Sequence, residues 1–280
     1  MKLPQGFRSA SIAAGLQSNG GLDLTVIENQ GPHFNAAAVF TSNKVVAAPV
    51  IWSRQVAKGG IVRAAVLNSG GANACTGPEG FADTHKTAEH VGQLLNVSSG
   101  EVIVCSTGLI GVRLPMEKIE SGVALAVSNL NSDDWDGAAN AIMTTDSIPK
   151  IARADFEGNS FIGIAKGAGM LAPSLATMLC VLATDAIVDT AELKEALEYA
   201  SEQTFDRIDS DGCTSTNDTV ILMSSGASGI KPDKEDFEKL LEKLPLARLP
   251  RISSVVVPEF NLPGGRSRFF RYIWNLGTGQ

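Results

Sequence analysis

Three hydroxyl-rich turns are the places where this chain could do chemistry. Ser106-Thr107-Gly108 follows an apolar, strand-like run, Thr144-Thr145-Asp146 follows a helical pattern, and SLATM, Ser174 to Met178, precedes a second apolar run. A threonine hydroxyl is a weak nucleophile unless a base stands beside it. One solution is cleavage of the chain just before a threonine, which frees an α-amine to deprotonate the side chain of its own residue. Such an amine ordinarily titrates at about 7.7 to 8.0, so it both accepts and returns a proton near neutrality. The plainer alternative is that these are turn and cap residues, because Ser, Thr, Gly and Asp are common turn formers. Composition leaves both readings open.

Other reactive groups are sparse. His33, His85 and His90 have no neighbouring Ser or Cys motif and read as surface residues. No G-x-S-x-G, Walker loop or G-x-G-x-x-G between a strand and a helix occurs. Lys166-Gly167-Ala168-Gly169 continues into MLAPS, which does not open a helix, so it is a weak phosphate-binding signal. Cys75, Cys105, Cys180 and Cys213 lie far apart with no C-x-x-C, so each reads as a small core residue and no metal site is expected.

The elements that must hold these turns follow from periodicity and breakers. Strand-like runs cover Ala36 to Phe40, Val45 to Ile51, Ala64 to Asn68, Val102 to Cys105, Thr177 to Thr184 and Thr219 to Ser224. Helical patterns cover Ala82 to Leu95, Pro115 to Leu130, Asp189 to Ile208 and Asp233 to Leu244. Asp189 followed by Glu192 resembles a capping box, and Leu193, Ala196, Leu197 and Ala200 form a buried stripe. The alternation predicts an α/β chain.

With 280 residues and 44% hydrophobic content, the chain has material for one large or two ordinary domains. Its formal charge of −7 argues against nucleic-acid or anionic-membrane partners and favours small molecules or protein subunits. No apolar run is long enough to span a membrane, and Arg8 interrupts the N-terminal stretch where a signal peptide needs apolar residues. A cytoplasmic enzyme is therefore expected. Residues 245–280 differ in character, with five Arg, one Glu and four Pro, a net of +4 against −11 for the residues before them.

Taken together, KGAGMLAPSLATMLCVLATDA, CSTGLIGVRLPM, AIMTTD and DSDGCTSTNDTVILMSSGASG resemble the signatures of the ornithine acetyltransferase (glutamate N-acetyltransferase) family of arginine biosynthesis. The resemblance covers about residues 5–244, with the motifs in the family's order. It implies a layered α-β-β-α fold and self-cleavage between Ala176 and Thr177, with Thr177 as the new N-terminal nucleophile. Its implied ping-pong cycle moves an acetyl group from N-acetylornithine to glutamate through acetyl-Thr177, with acetyl-CoA as a further donor for some members and no resident cofactor. Thr107 and Gly108 match the oxyanion hole, a hydroxyl and a backbone N–H aimed at the developing negative oxygen.

Lys166 and either Thr144 or Thr145 match positions that hold the amino-acid substrate, the lysine pairing with an α-carboxylate. Asn217 and Asp218 match a polar network near the nucleophile, read as buried scaffolding. Asn68 to Gly77 matches a family turn, with Gly71 where asparagine is more usual. The resemblance also implies α and β chains paired into a heterotetramer. It divides the chain into an α-chain region, 1–176, the start of a β-chain region, 177–244, and an atypical tail, 245–280.

The tail occupies the place where the family carries an acidic substrate-binding segment, and Glu259 lacks the matching context for that role. The expectation is a fold incomplete at its C-terminus, from a truncated or frame-shifted chain, with poor solubility or weak activity. An aminopeptidase-like hydrolase of related architecture and an inactive chain are the alternatives.

Overall fold

The computed structural model describes residues 1–168, 178–207 and 213–243. The chain divides into two units, Met1–Leu249 and Pro250–Gln280, and every described residue belongs to the first. Its elements run β1 (Phe7–Ile12), β2 (Leu24–Asn29), β3 (Asn35–Phe40), α1 (Ala48–Lys58), β4 (Ala64–Asn68), α2 (Gly77–Leu95), β5 (Val102–Ser106), α3 (Met116–Ser128) and α4 (Trp135–Ala141). There follow β6 (Lys150–Phe156), β7 (Asn159–Lys166), β8 (Leu179–Thr184), α5 (Thr190–Gln203), β9 (Thr219–Ser224) and α6 (Lys234–Lys243).

The strands form two sheets, ordered β1-β2-β4-β5 and β3-β9-β8-β7-β6. Most of the central strands are apolar on both faces, which requires cover on both sides. In β8, Leu179, Val181 and Ala183 face the core between the sheets, while Cys180 and Leu182 face the helices. Strand β4 divides in the same way: Ala65 and Leu67 point inward, Ala64 and Val66 outward. The outer face of the first sheet packs against Ala88 and Val91 of α2 and Ile119, Val123 and Ala126 of α3. That of the second packs against Leu193, Ala196 and Leu197 of α5 and Phe237 and Leu241 of α6. The result is the expected α-β-β-α layering, with α4 contributing Trp135, Ala138 and Ala139 to the central core.

Val45 to Ile51 is not a strand. Pro49 lies in the first turn of α1, where its missing N–H costs nothing, and Val50, Ser53 and Val56 form the buried face. Ser53 Oγ accepts from Val104 N at 3.0 Å and donates to Val104 O at 2.8 Å, so α1 covers the edge of β5. Local periodicity does not mark strands β1, β2, β6 and β7 or helix α4. Their Ser, Gly, Asn and Asp content weakens the periodicity that the packed sheets nevertheless impose. Helix α2 begins at Gly77, ahead of the expected Ala82, because Pro78 suits its first turn.

Helix α5 carries the capping box of Asp189 and Glu192. Cys105 and Cys180 are buried, but Cys75 and Cys213 are exposed. Cys75 lies in the turn ahead of α2 with a φ of +56°, outside the strands that bury the other two. His33 and His85 are exposed, and His90, partly buried, bonds Glu120 O through its ring at 3.0 Å.

Candidate active site

Parallel β4 and β5 end side by side, with Asn68 opposite Ser106. The turn after β5 begins where Thr107 N donates to Asn68 O at 2.9 Å, and Asn68 Nδ2 donates to Ser106 Oγ at 2.8 Å. Thr107 is buried, while Gly108 emerges at the surface. At Gly108 φ is +128°, and an added Cβ would stand 3.0 Å from both the N and Cα of Gly71. The two glycine turns thus pack backbone against backbone, an approach that any side chain would obstruct. Asn217, just ahead of β9, joins them: its Nδ2 donates to Ala72 O at 2.6 Å and to Ser106 O at 2.8 Å.

Lys166 ends β7, a strand buried along its whole length, and is itself 1% exposed. Its Nζ donates to Thr107 Oγ1 at 2.6 Å and lies 3.5 Å from Thr144 Oγ1. Burial pulls the ammonium down to about 8, against the opposing pull of the Asp146 and Asp218 carboxylates, with Lys150 adding to the depression. Asp146 accepts from Lys150 Nζ and, at 2.8 Å, from Gly167 N, while Lys150 Nζ donates to Gly167 O at 2.7 Å. Both polar groups of the residue after Lys166 are therefore fixed. Burial favours the neutral Asp146 carboxyl, but these bonds and the charges of Lys150 and Lys166 hold its pKa below the ordinary value. Thr144 and Thr145, which sequence left unseparated, are both exposed, and Thr144 is the one whose hydroxyl reaches Lys166.

Asp218 is fully buried. Its Oδ1 accepts from Met178 N at 2.8 Å. Burial pushes its carboxyl up to about 7, opposed by the Met178 N–H, the Ser215 hydroxyl, the charge of Lys166 and the Thr41 hydroxyl. The register places Lys166 opposite Leu179 and Leu179 opposite Thr219. Lys166, Met178 and Asp218 therefore come to one end of the second sheet. Ala176 and Thr177, the expected cleavage pair and nucleophile, lie outside the described residues.

Sequence reasoning missed the supports of this site. Gln17 Nε2 donates to Ser69 Oγ at 2.5 Å and to Met143 O at 3.0 Å, and Ser69 Oγ donates to Ala141 O at 2.7 Å. Asp23 holds the loop that carries Gln17 by accepting from the N–H groups of Ala14, Leu16 and Gln17. A glutamine so far from its partners along the chain gives no local signal. Among the described residues no cluster of His, Cys, Asp and Glu forms that could hold a metal ion. The arrangement sets a donor hydroxyl against a buried cation, with a carboxyl that titrates near neutrality close by. Such a set can stabilise a developing oxyanion in acyl transfer.

A model of the ArgJ family matches residues 8–249. The chain is 56% identical over 241 residues to the arginine biosynthesis bifunctional protein ArgJ of Thermobifida fusca, covering 86% of this chain and 63% of the relative. It is 58% identical over 233 residues to that of Streptomyces avermitilis, covering 83% and 61%. The chain thus spans 61 to 63% of the length of these relatives. The structure of ornithine acetyltransferase complexed with ornithine from Mycobacterium tuberculosis aligns with a TM-score of 0.56 and 49% identity, over 63% of this chain and 94% of that one. A Burkholderia β-aminopeptidase, 13% identical, aligns with a TM-score of 0.51 over 87% of this chain and 81% of that one, a likeness of fold alone.

Proposed function

This chain belongs to the ArgJ family, and from that premise we propose that it is an acyltransferase of arginine biosynthesis that carries an acetyl group from N-acetylornithine to glutamate. The chain cuts itself between Ala176 and Thr177. The freed α-amine of Thr177 takes the proton of its own hydroxyl as Oγ attacks the N-acetyl carbonyl. Thr107 and the Gly108 N–H receive the oxyanion. Collapse expels ornithine, whose amine takes the proton back, and the glutamate amine then attacks acetyl-Thr177 to release N-acetylglutamate. Acetyl-CoA serves as an alternative donor, and Lys166 and Thr144 hold the amino-acid substrate. The two fragments stay together as α and β chains, paired as a heterotetramer in the cytoplasm.

What supports this reading is the buried 2.6 Å contact of Lys166 with Thr107, at the same sheet end as Met178, the residue that follows Thr177. The test is the intact mass of the purified chain under denaturing conditions, beside Thr177→Ala, followed by an assay of acetyl transfer. Fragments 1–176 and 177–280 from the wild type, a single uncut variant, and N-acetylglutamate as product are expected. An uncut wild-type chain, or free acetate as the only product, overturns the proposal.

A further inference from the structure

We propose that Lys166 is a positioning residue of the oxyanion hole, whose bond to Thr107 Oγ1 turns the Thr107 proton toward the reacting carbonyl oxygen. The inference rests on the family reading, and on the geometry of one hydrogen bond. An ammonium has three donors and no acceptor, so at 2.6 Å the Thr107 oxygen must accept. The hydroxyl has one proton and, left alone, rotates to suit its surroundings. Held by Lys166, it directs that proton away from the cation.

The lysine is itself held in place. Gly167 beside it is bonded through both N–H and C=O by Asp146 and Lys150, and Thr144 Oγ1 lies 3.5 Å from its Nζ. The charged groups acting on it are Asp146 and Lys150 beside its own strand and Asp218 just ahead of β9. Loss of the proton from Lys166 gives Nζ a lone pair beside its two remaining N–H donors. The Thr107 proton is then no longer obliged to point away from Nζ, and the hole loses its fixed donor. Acetyl transfer then declines as pH rises through the lysine's midpoint near 8.

A double-mutant cycle on the full chain tests this through kcat for acetyl transfer. Thr107→Val and Lys166→Met are each expected to lower kcat by about 10²-fold, with the double variant no worse than the weaker single variant. Lys166→Arg, which stays charged, is expected to recover part of kcat and to lose the alkaline decline. Additive losses, or a Lys166→Met effect confined to KM, overturn the proposal.

A second measurement needs no activity and separates this inference from the family reading. In protein with ¹³Cε-labelled lysine, the signal missing from the charge-conserving Lys166→Arg identifies Lys166. Because a hydrogen bond to a charged group is removed, Thr107→Val should lower its titration midpoint by about one unit. An unchanged midpoint overturns the inference even if Lys166→Met fails to fold.

Discussion

Asn217 joins two turns that lie far apart along the chain with a single amide group, and that sets the cost of losing it. Asn217→Ala leaves Ala72 O and Ser106 O buried without their donor. A loss of about 1–3 kcal/mol in urea unfolding is expected, together with a fall in kcat, since Ser106 leads into the proposed oxyanion hole. A variant as stable and active as the wild type would show that the clamp is idle. Gly108 is constrained by space and backbone together, with φ at +128° and Gly71 at 3.0 Å. Gly108→Ala should cost about 1–3 kcal/mol of local strain and reduce acetyl transfer by about 10²-fold. Steady-state kinetics check the second figure, and wild-type kcat would refute it.

At the scale of elements, the outer helices support the fold and the inner strand ends carry the candidate site. The α5 capping box lies on the solvent side of the second sheet, so Asp189→Ala should cost about 1 kcal/mol and leave kcat near wild type. Urea unfolding and the acetyl-transfer assay test the two halves. A large drop in kcat at unchanged stability would mean that α5 communicates with the site. Helix α1 shows why the run Val45 to Ile51 misled. Its apolar residues suit either element, and Pro49 decides between them, because a proline fits a first helical turn and disrupts a strand interior.

At the scale of the whole molecule, two of the perturbed groups at the site, Asp218 and Lys166, give opposite pH dependences. The Asp218 carboxyl is raised from 3.8 to about 7. Between those values the folded state keeps a proton that the unfolded chain has released, so this group's contribution to stability falls as pH rises. Lys166 is lowered from 10.5 to about 8. There the unfolded chain holds the extra proton, and stability rises with pH across the window. Asp218→Asn removes the first dependence, so its stability relative to wild type should increase from about pH 4 to about pH 7. Denaturant midpoints that stay parallel across that range would contradict the assignment.

The sequence by itself determined the local pieces: the apolar strands around Ala64 to Asn68 and Thr219 to Ser224, the capped helix after Asp189, and the hydroxyl turns at Thr107 and Thr144. Each rests on neighbouring residues, through period, cap or turn chemistry, and is legible without the rest of the chain. The motifs also carried the family, now matched over residues 8–249. Only the tertiary structure decided that Lys166 rests on Thr107, that Thr144 rather than Thr145 reaches the lysine, and that Gln17 and Asn217 brace the turns. The reason is physical. Those contacts depend on which strands pair, in what register, and on how two sheets stack across a shared core, and no local run of residues encodes that.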